Sequence, residues 1–256
     1  VNRIKHIEEE RSFDHLYEEA RTLAQYIEMQ AQNDREHLEI IASMVAAYED
    51  FTDPQLWEIL DSYMNVGMTS RVEILLPGDT VLTRGVRSVD VSGEISFDEE
   101  AALGAHITDR ERDLNGQTYI LRHYVPVIRD GETVAMLYGV VGLAGLPDAL
   151  LNNPYGGQAA VYIIDGSTGD FLMDTWHNEM GNIWDLGERP LAPGYNHAQL
   201  KQGLIDGETG YVVFVSQTIN RYLYFCYEPI GINNWRIALS VPEEVVFASA
   251  DNIRYV

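Results

Sequence analysis

The chain has 256 residues, 46% of them apolar, with 15 Tyr and 4 Trp. That excludes a disordered tract and allows one large or two small packed domains. Its 40 acidic and 17 basic residues leave a net charge of -23, which disfavours nucleic acid and anionic lipid surfaces as partners. The single thiol, Cys226, excludes an internal disulfide and a cysteine-built zinc site.

Residues 2 to about 48 predict one long amphipathic helix. Leu16, Ala20, Leu23, Ile27, Ala31, Leu38, Ile41 and Val45 recur at spacings of three, four or seven, and no Gly or Pro intervenes. A helix this long exceeds what one small core covers. Its first half, with Glu8-Glu9-Glu10-Arg11, is expected to project; residues 12–31 then either pair with a second copy as a homodimer or form a solvated helix end. A second helix is expected at 53–65, capped by Thr52 or Asp53, with Pro54 in its first turn and Trp57, Leu60 and Met64 on one face.

From Arg71 the signals change to strands and tight turns. Residues 72–76 and 80–84 flank Pro77-Gly78-Asp79 as a hairpin. Residues 119–128 and 133–143 flank Asp130-Gly131 as another, and that dipeptide is a strong hairpin turn. Between them, residues 88–115 are polar and irregular, with one short helix near 98–104; a stretch so long suits a lid or pocket wall. The pattern then repeats. Residues 160–164 and 170–174 form a hairpin around Asp165-Gly166-Ser167-Thr168-Gly169. Strands follow at 210–217, 221–228 and 234–241. Tyr124-Val125-Pro126-Val127 in the first half is answered by Tyr227-Glu228-Pro229-Ile230 in the second. The expected fold is therefore α+β: a helix over residues 1–50, then two antiparallel PAS-like modules at 51–152 and 153–241, with a C-terminal segment at 242–256.

No segment reaches the ~18 apolar residues of a spanning helix; the best, 135–151, is broken by Gly139, Gly142, Gly145, Pro147 and Asp148. Without an initiator Met, the chain reads as a fragment of a longer protein.

Candidate site residues follow from alternation. Arg122 shares a strand face with Ile120, Tyr124, Pro126 and Ile128. A guanidinium on such a face either pairs with an internal carboxylate or receives an anionic ligand, which would gain two parallel hydrogen bonds. Tyr124, Tyr138, Trp57 and Tyr63 would wall a pocket around it, or simply pack the core. A weaker second set is Asp174, Trp176 and Tyr224, with Tyr195, Tyr222 and Tyr227 beside them. His106 near Asp109 and Asp174 near His177 are carboxylate–histidine pairs without a third convergent group, so no catalytic site, metal or cofactor is expected.

Three strings carry a family resemblance: Val161-Tyr162-Ile163-Ile164-Asp165-Gly166-Ser167-Thr168-Gly169, Trp235-Arg236-Ile237-Ala238-Leu239-Ser240-Val241-Pro242, and the helix start Pro242-Glu243-Glu244-Val245-Val246-Phe247-Ala248. In this order, behind a long helix, they resemble the double Cache sensor domains of bacterial transmembrane receptors. The resemblance implies an extracellular or periplasmic ectodomain between two membrane spans, no enzymatic activity of its own, and a small-molecule ligand in the membrane-distal module. It further implies a cytoplasmic output module, in style most like a GGDEF diguanylate cyclase, otherwise a kinase or methyl-accepting module. The family's amino-acid-binding branch carries Arg-x-Trp-Tyr, for which Arg122-His123-Tyr124 is a poor match. The alternative is a scaffold that dimerises or docks another protein without binding a ligand.

Overall fold

The computed structural model describes residues 2–145, 154–176, 181–185, 189–216 and 221–253. The chain divides into two compact units, Met29–Ala149 and Val1–Glu28 with Leu150–Val256. Helix α1, Asn2–Val45, runs through the boundary, its residues up to Glu28 in one unit and those from Met29 in the other.

In the first unit, α2 (Pro54–Asp61) is started by Asp53, whose Oδ1 accepts the Gln55 N–H at 2.9 Å, with Pro54 in the first turn. Strands β1 (Arg71–Leu76), β2 (Thr80–Thr83), β3 (Arg87–Asp90), β4 (His106–Ile107), β5 (Glu111–Arg112), β6 (Tyr119–Arg129) and β7 (Glu132–Gly142) make one antiparallel sheet in the order β3-β2-β1-β7-β6-β4, with β5 also on β6. Asp130 (φ 52°) and Gly131 (φ 79°) close the β6–β7 hairpin with two consecutive left-handed residues, the turn that matches strand twist.

Alternation gives this sheet two buried faces. On one, Ile74, Val125 and Leu137 meet Leu38 and Ile41 of α1 and Leu56 of α2. On the other, Leu75, Met136 and Ile120 are covered by Val91, Ile95 and Phe97 from the 88–115 stretch. That stretch packs over the sheet as a cover. It holds α3 (Phe97–Leu103), whose N-cap Ser96 accepts the Glu99 N–H at 3.3 Å, and whose first turn carries Asp98, Glu99 and Glu100 where the helix dipole favours them.

In the second unit, β8 (Ala160–Asp165), β9 (Phe171–Asp174), β10 (Gly210–Ser216), β11 (Arg221–Pro229) and β12 (Trp235–Pro242) pair in the order β10-β11-β12-β8-β9. Read from the other edge, this is the order β2-β1-β7-β6-β4 of the first sheet. The internal repeat is thus a repeat of topology, and Tyr124 and Tyr227 sit on equivalent strands. Helix α4, His197–Asp206, lies between β9 and β10 and packs on Tyr227. A Cβ on Gly203 would lie 2.4 Å from the Tyr227 hydroxyl, so only glycine fits there. Arg236, buried, holds the end of α4 by donating to the Leu204 and Ile205 carbonyls at 2.7 and 3.3 Å.

The start of α1 covers the opposite face of this sheet. Ser12, Leu16, Ala20, Leu23 and Ile27 are all buried, and Phe13 stacks on Tyr211 at 4.3 Å. The expected projection of the first half is corrected over residues 12–27: the stripe that suggested a dimer face is covered there within the chain. The last helix, α5 (Glu243–Ile253), returns to the same face, with Phe247 edge-on to Tyr224. Among the described residues, no helix is long and apolar enough to cross a membrane.

Candidate functional site

The face of the first sheet beneath the 88–115 wall carries charge where a core would carry apolar side chains. Cross-strand register places Arg71 opposite Val140, Glu73 and Tyr124 each opposite Tyr138, and Arg122 opposite Val140. All of these therefore project to one side. Arg71 donates from Nη2 to both oxygens of Asp113 at 2.8 Å and from Nε to Glu73 at 3.4 Å. The other Glu73 oxygen accepts the Tyr138 hydroxyl at 2.8 Å. Arg122, 1% exposed, donates to Glu111 Oε2 at 3.2 Å and to the Arg112 carbonyl at 3.3 Å, and its guanidinium lies 5.4 Å from the Tyr138 ring centre. The open alternative at Arg122 is thereby decided for this state: its partner is an internal carboxylate.

The satisfaction is incomplete. Three buried atoms in this cluster have no hydrogen-bond partner: Arg122 Nε, the Tyr124 hydroxyl and Glu111 Oε1. Orphaned polar atoms in a dry interior cost about 1–3 kcal/mol each, so their convergence calls for an explanation. Two are donors and one is an acceptor.

Electrostatics keep the cluster in defined protonation states. Burial works against the Arg122 charge, but Tyr138, Glu111 and Tyr124 outweigh it and raise its pKa above the usual arginine value. Burial pushes the Tyr124 and Tyr138 hydroxyls far up, so both remain protonated donors. His106 stacks on Tyr124 at 5.0 Å. Its Nε2 meets Glu100 Oε2 at 2.6 Å, and despite burial this contact raises its pKa. His106 thus pairs with Glu100 rather than serving with Asp109.

The first predicted set is only partly assembled. Arg122, Tyr124 and Tyr138 come together. Trp57 and Tyr63 lie on the other face, under α1, where Trp57 Nε1 donates to the Phe51 carbonyl at 2.7 Å. Sequence reasoning missed Glu73, Arg71, Glu111 and Asp113. Glu73 had a signal: it stands alone as a charge among Val72, Ile74, Leu75 and Leu76.

In the second unit, β11 and the loops around β9 and β10 enclose a cavity of about 450 Å³, within the range of small-molecule sites. Trp176 lines it and is 57% exposed. Asp174 ends β9 and accepts the Trp176 N–H at 2.8 Å. Tyr224 points away from the cavity, toward Phe13 and Phe247 at 5.7 and 5.8 Å; its neighbours Leu223 and Phe225 face the cavity instead. Tyr224 is therefore a packing residue, and its placement in a pocket is corrected. Tyr195 lies 5.8 Å from Tyr211, Tyr222 is exposed, and Tyr227 is under α4. His177 lies outside the described residues.

No family model matches this chain, and no curated protein does. Solved structures do. The extracellular domain of a protein described as a histidine kinase, rpHK1S-Z16, is 16% identical, with a TM-score of 0.69 over 93% of this chain and 97% of that one. The ligand-binding domain of the Campylobacter jejuni chemoreceptor Tlp3, in complex with 4-methylisoleucine, is 11% identical, with a TM-score of 0.65 over 93% of each chain. The ligand-binding domain of the Pseudomonas aeruginosa PAO1 amino acid chemoreceptor PctB, in complex with L-Gln, is 15% identical, with a TM-score of 0.63 over 94% and 98%. At these identities the comparison establishes the fold: a long helix followed by two antiparallel PAS-like sheets, the architecture of receptor sensor domains.

Proposed function

We propose that this chain is the extracellular sensor domain of a bacterial transmembrane receptor, that it binds a small molecule on the first sheet, and that it performs no catalysis itself. The observation that carries the reading is the buried trio of unmet groups, Arg122 Nε, Tyr124 hydroxyl and Glu111 Oε1. A ligand offering both a carboxylate and an ammonium group would satisfy all three, as an amino acid does, and the similar receptor domains are described with such ligands. The ligand carboxylate would take over Arg122 from Glu111. Glu111, part-exposed at 30% of its side chain, would turn from Arg122 to the ligand ammonium.

Binding of this kind favours an open arrangement of the 104–115 segment over the closed one, and only that difference in affinity can drive a signal. The signal would pass through the C-terminal segment to a membrane helix and a cytoplasmic cyclase or kinase. A dimer through α1 would have to use its outward positions Met29 and Ile40, which are 51% and 67% exposed.

The scaffold reading draws support from the closed packing over Arg122. Beside the apolar contacts of Val91, Ile95 and Phe97, that packing also closes over charges and unmet polar atoms, which favours sensing. Calorimetric titration with a panel of amino acids, dicarboxylates and amines decides between them. Sensing predicts saturable binding of a zwitterion that Arg122→Met abolishes and Glu111→Gln weakens; silence across the panel from folded protein would leave the scaffold.

A further inference from the structure

The cavity of the second unit is separate in chemistry from the cluster just described and has no role in the reading above. Its wall is aromatic. Tyr162 and Phe171 lie 5.3 Å apart, Tyr162 and Phe225 6.0 Å, and Phe214 meets Phe225 edge-on at 5.6 Å. Trp176 adds a large exposed ring at the rim. Flat walls of this kind accept a flat ring by offset or edge contact.

Two donors serve this chamber. Tyr162 is 5% exposed and lines the chamber, with its hydroxyl in the electrostatic reach of Asp174 and Arg189. Burial and the Asp174 carboxylate push its pKa up, so it stays a donor, and Arg189 lies close enough to pull against that rise. The Arg189 guanidinium lines the same cavity and meets no carboxylate among the described residues. The polar end of the chamber thus presents a neutral O–H and a cation, both able to donate to an acceptor. Two carboxylates, Asp185 on the rim and Asp174 near the Tyr162 hydroxyl, repel a second negative group.

We propose that this cavity is a second ligand site, specific for a small aromatic monocarboxylate, with the ring between Tyr162, Phe171 and Phe225 and the carboxylate held by the Tyr162 hydroxyl and Arg189.

The test uses phenylacetate as probe and the whole chain, with calorimetry for affinity and Trp fluorescence for location. Phenylacetate binds saturably and changes the fluorescence of Trp176, and acetate and benzylamine do not compete. Arg189→Gln, at an exposed position that folding tolerates, weakens binding at least tenfold. Tyr162→Phe weakens it about five- to tenfold while keeping the wall intact, and thermal melts confirm that both variants are folded. Absence of phenylacetate binding overturns the proposal, as does binding that neither variant weakens. Preference for benzylamine overturns the carboxylate assignment. Loss of binding in Arg122→Met with full binding in Arg189→Gln would move the ligand to the first sheet and also overturn it.

Discussion

The two sheets share a strand order but fill the same face differently. On the first, the segment between β3 and β6 brings α3, β4 and β5 across the sheet and seals a network of two arginines and three carboxylates beneath it. On the second, the segment between β9 and β10 brings only α4, which seats on the Tyr227 end and leaves an aromatic chamber at the other. One topology thus supports a closed interior with a buried charge network and an open chamber lined by aromatic rings. The difference lies in what the insertion covers, because the sheet beneath is built alike.

The largest expected effect tests whether charge holds the first face. Arg71→Ala leaves Glu73 and Asp113 buried without their cation, and stability should fall by about 3–5 kcal/mol. Urea unfolding followed at Trp57, the one Trp of the first unit, reads this directly. A cost below about 1 kcal/mol would mean that these charges are solvated, and the contrast would fail.

The matching test of the second face is steric. Gly203→Ala forces a Cβ into the Tyr227 ring and should cost about 1–3 kcal/mol, a penalty that shrinks in a Tyr227→Leu background. An unchanged melting temperature would show that α4 is loosely seated.

The third test is pH. Asp34 of α1 is 4% exposed, accepts the Met68 N–H at 3.0 Å, and is raised by burial from 3.8 to about 6. Because the folded state holds its proton more tightly, this group favours folding below about pH 4, and that contribution is lost as pH rises through about 6. His123 works in the opposite sense. Burial and the Arg35 guanidinium lower it to about 3, so it costs stability as pH falls below its usual 6.5. Asp34→Asn should therefore stabilise the chain by about 1–3 kcal/mol at pH 7.5 and by nothing at pH 3.5, measured by thermal melts across that range. A gain independent of pH would assign the effect to packing instead. The smallest expected change is Tyr224→Leu, at about 1 kcal/mol from two lost ring contacts.

Long elements were legible in the sequence because their periodicity is long. The α1 stripe, both hairpins of the first unit and the Asp130-Gly131 turn fall within two or three residues of expectation. Strands β4 and β5, two residues each, are too short to show alternation and owe their existence to pairing with β6. Helix α4 was missed although Asn196 and Gly207 bracket it, since its ten residues carry only a weak apolar stripe. The site was legible on one strand and no further. Arg122, Tyr124 and Tyr138 share a face by register, whereas Trp57 sits on a helix whose docking side no local pattern specifies. Along β11, Tyr222 to Tyr227 is almost wholly apolar or aromatic, so alternation could not say that Phe225, and not Tyr224, looks into the cavity.

Tyr224 has a further consequence. Its ring touches Phe13 of the first helix and Phe247 of the last, two segments more than two hundred residues apart in sequence. A displacement of either helix is therefore felt at one side chain on one strand. In a receptor of the proposed kind, that residue would act as a mechanical rivet, fixing the sliding position of the outgoing helix against the incoming one.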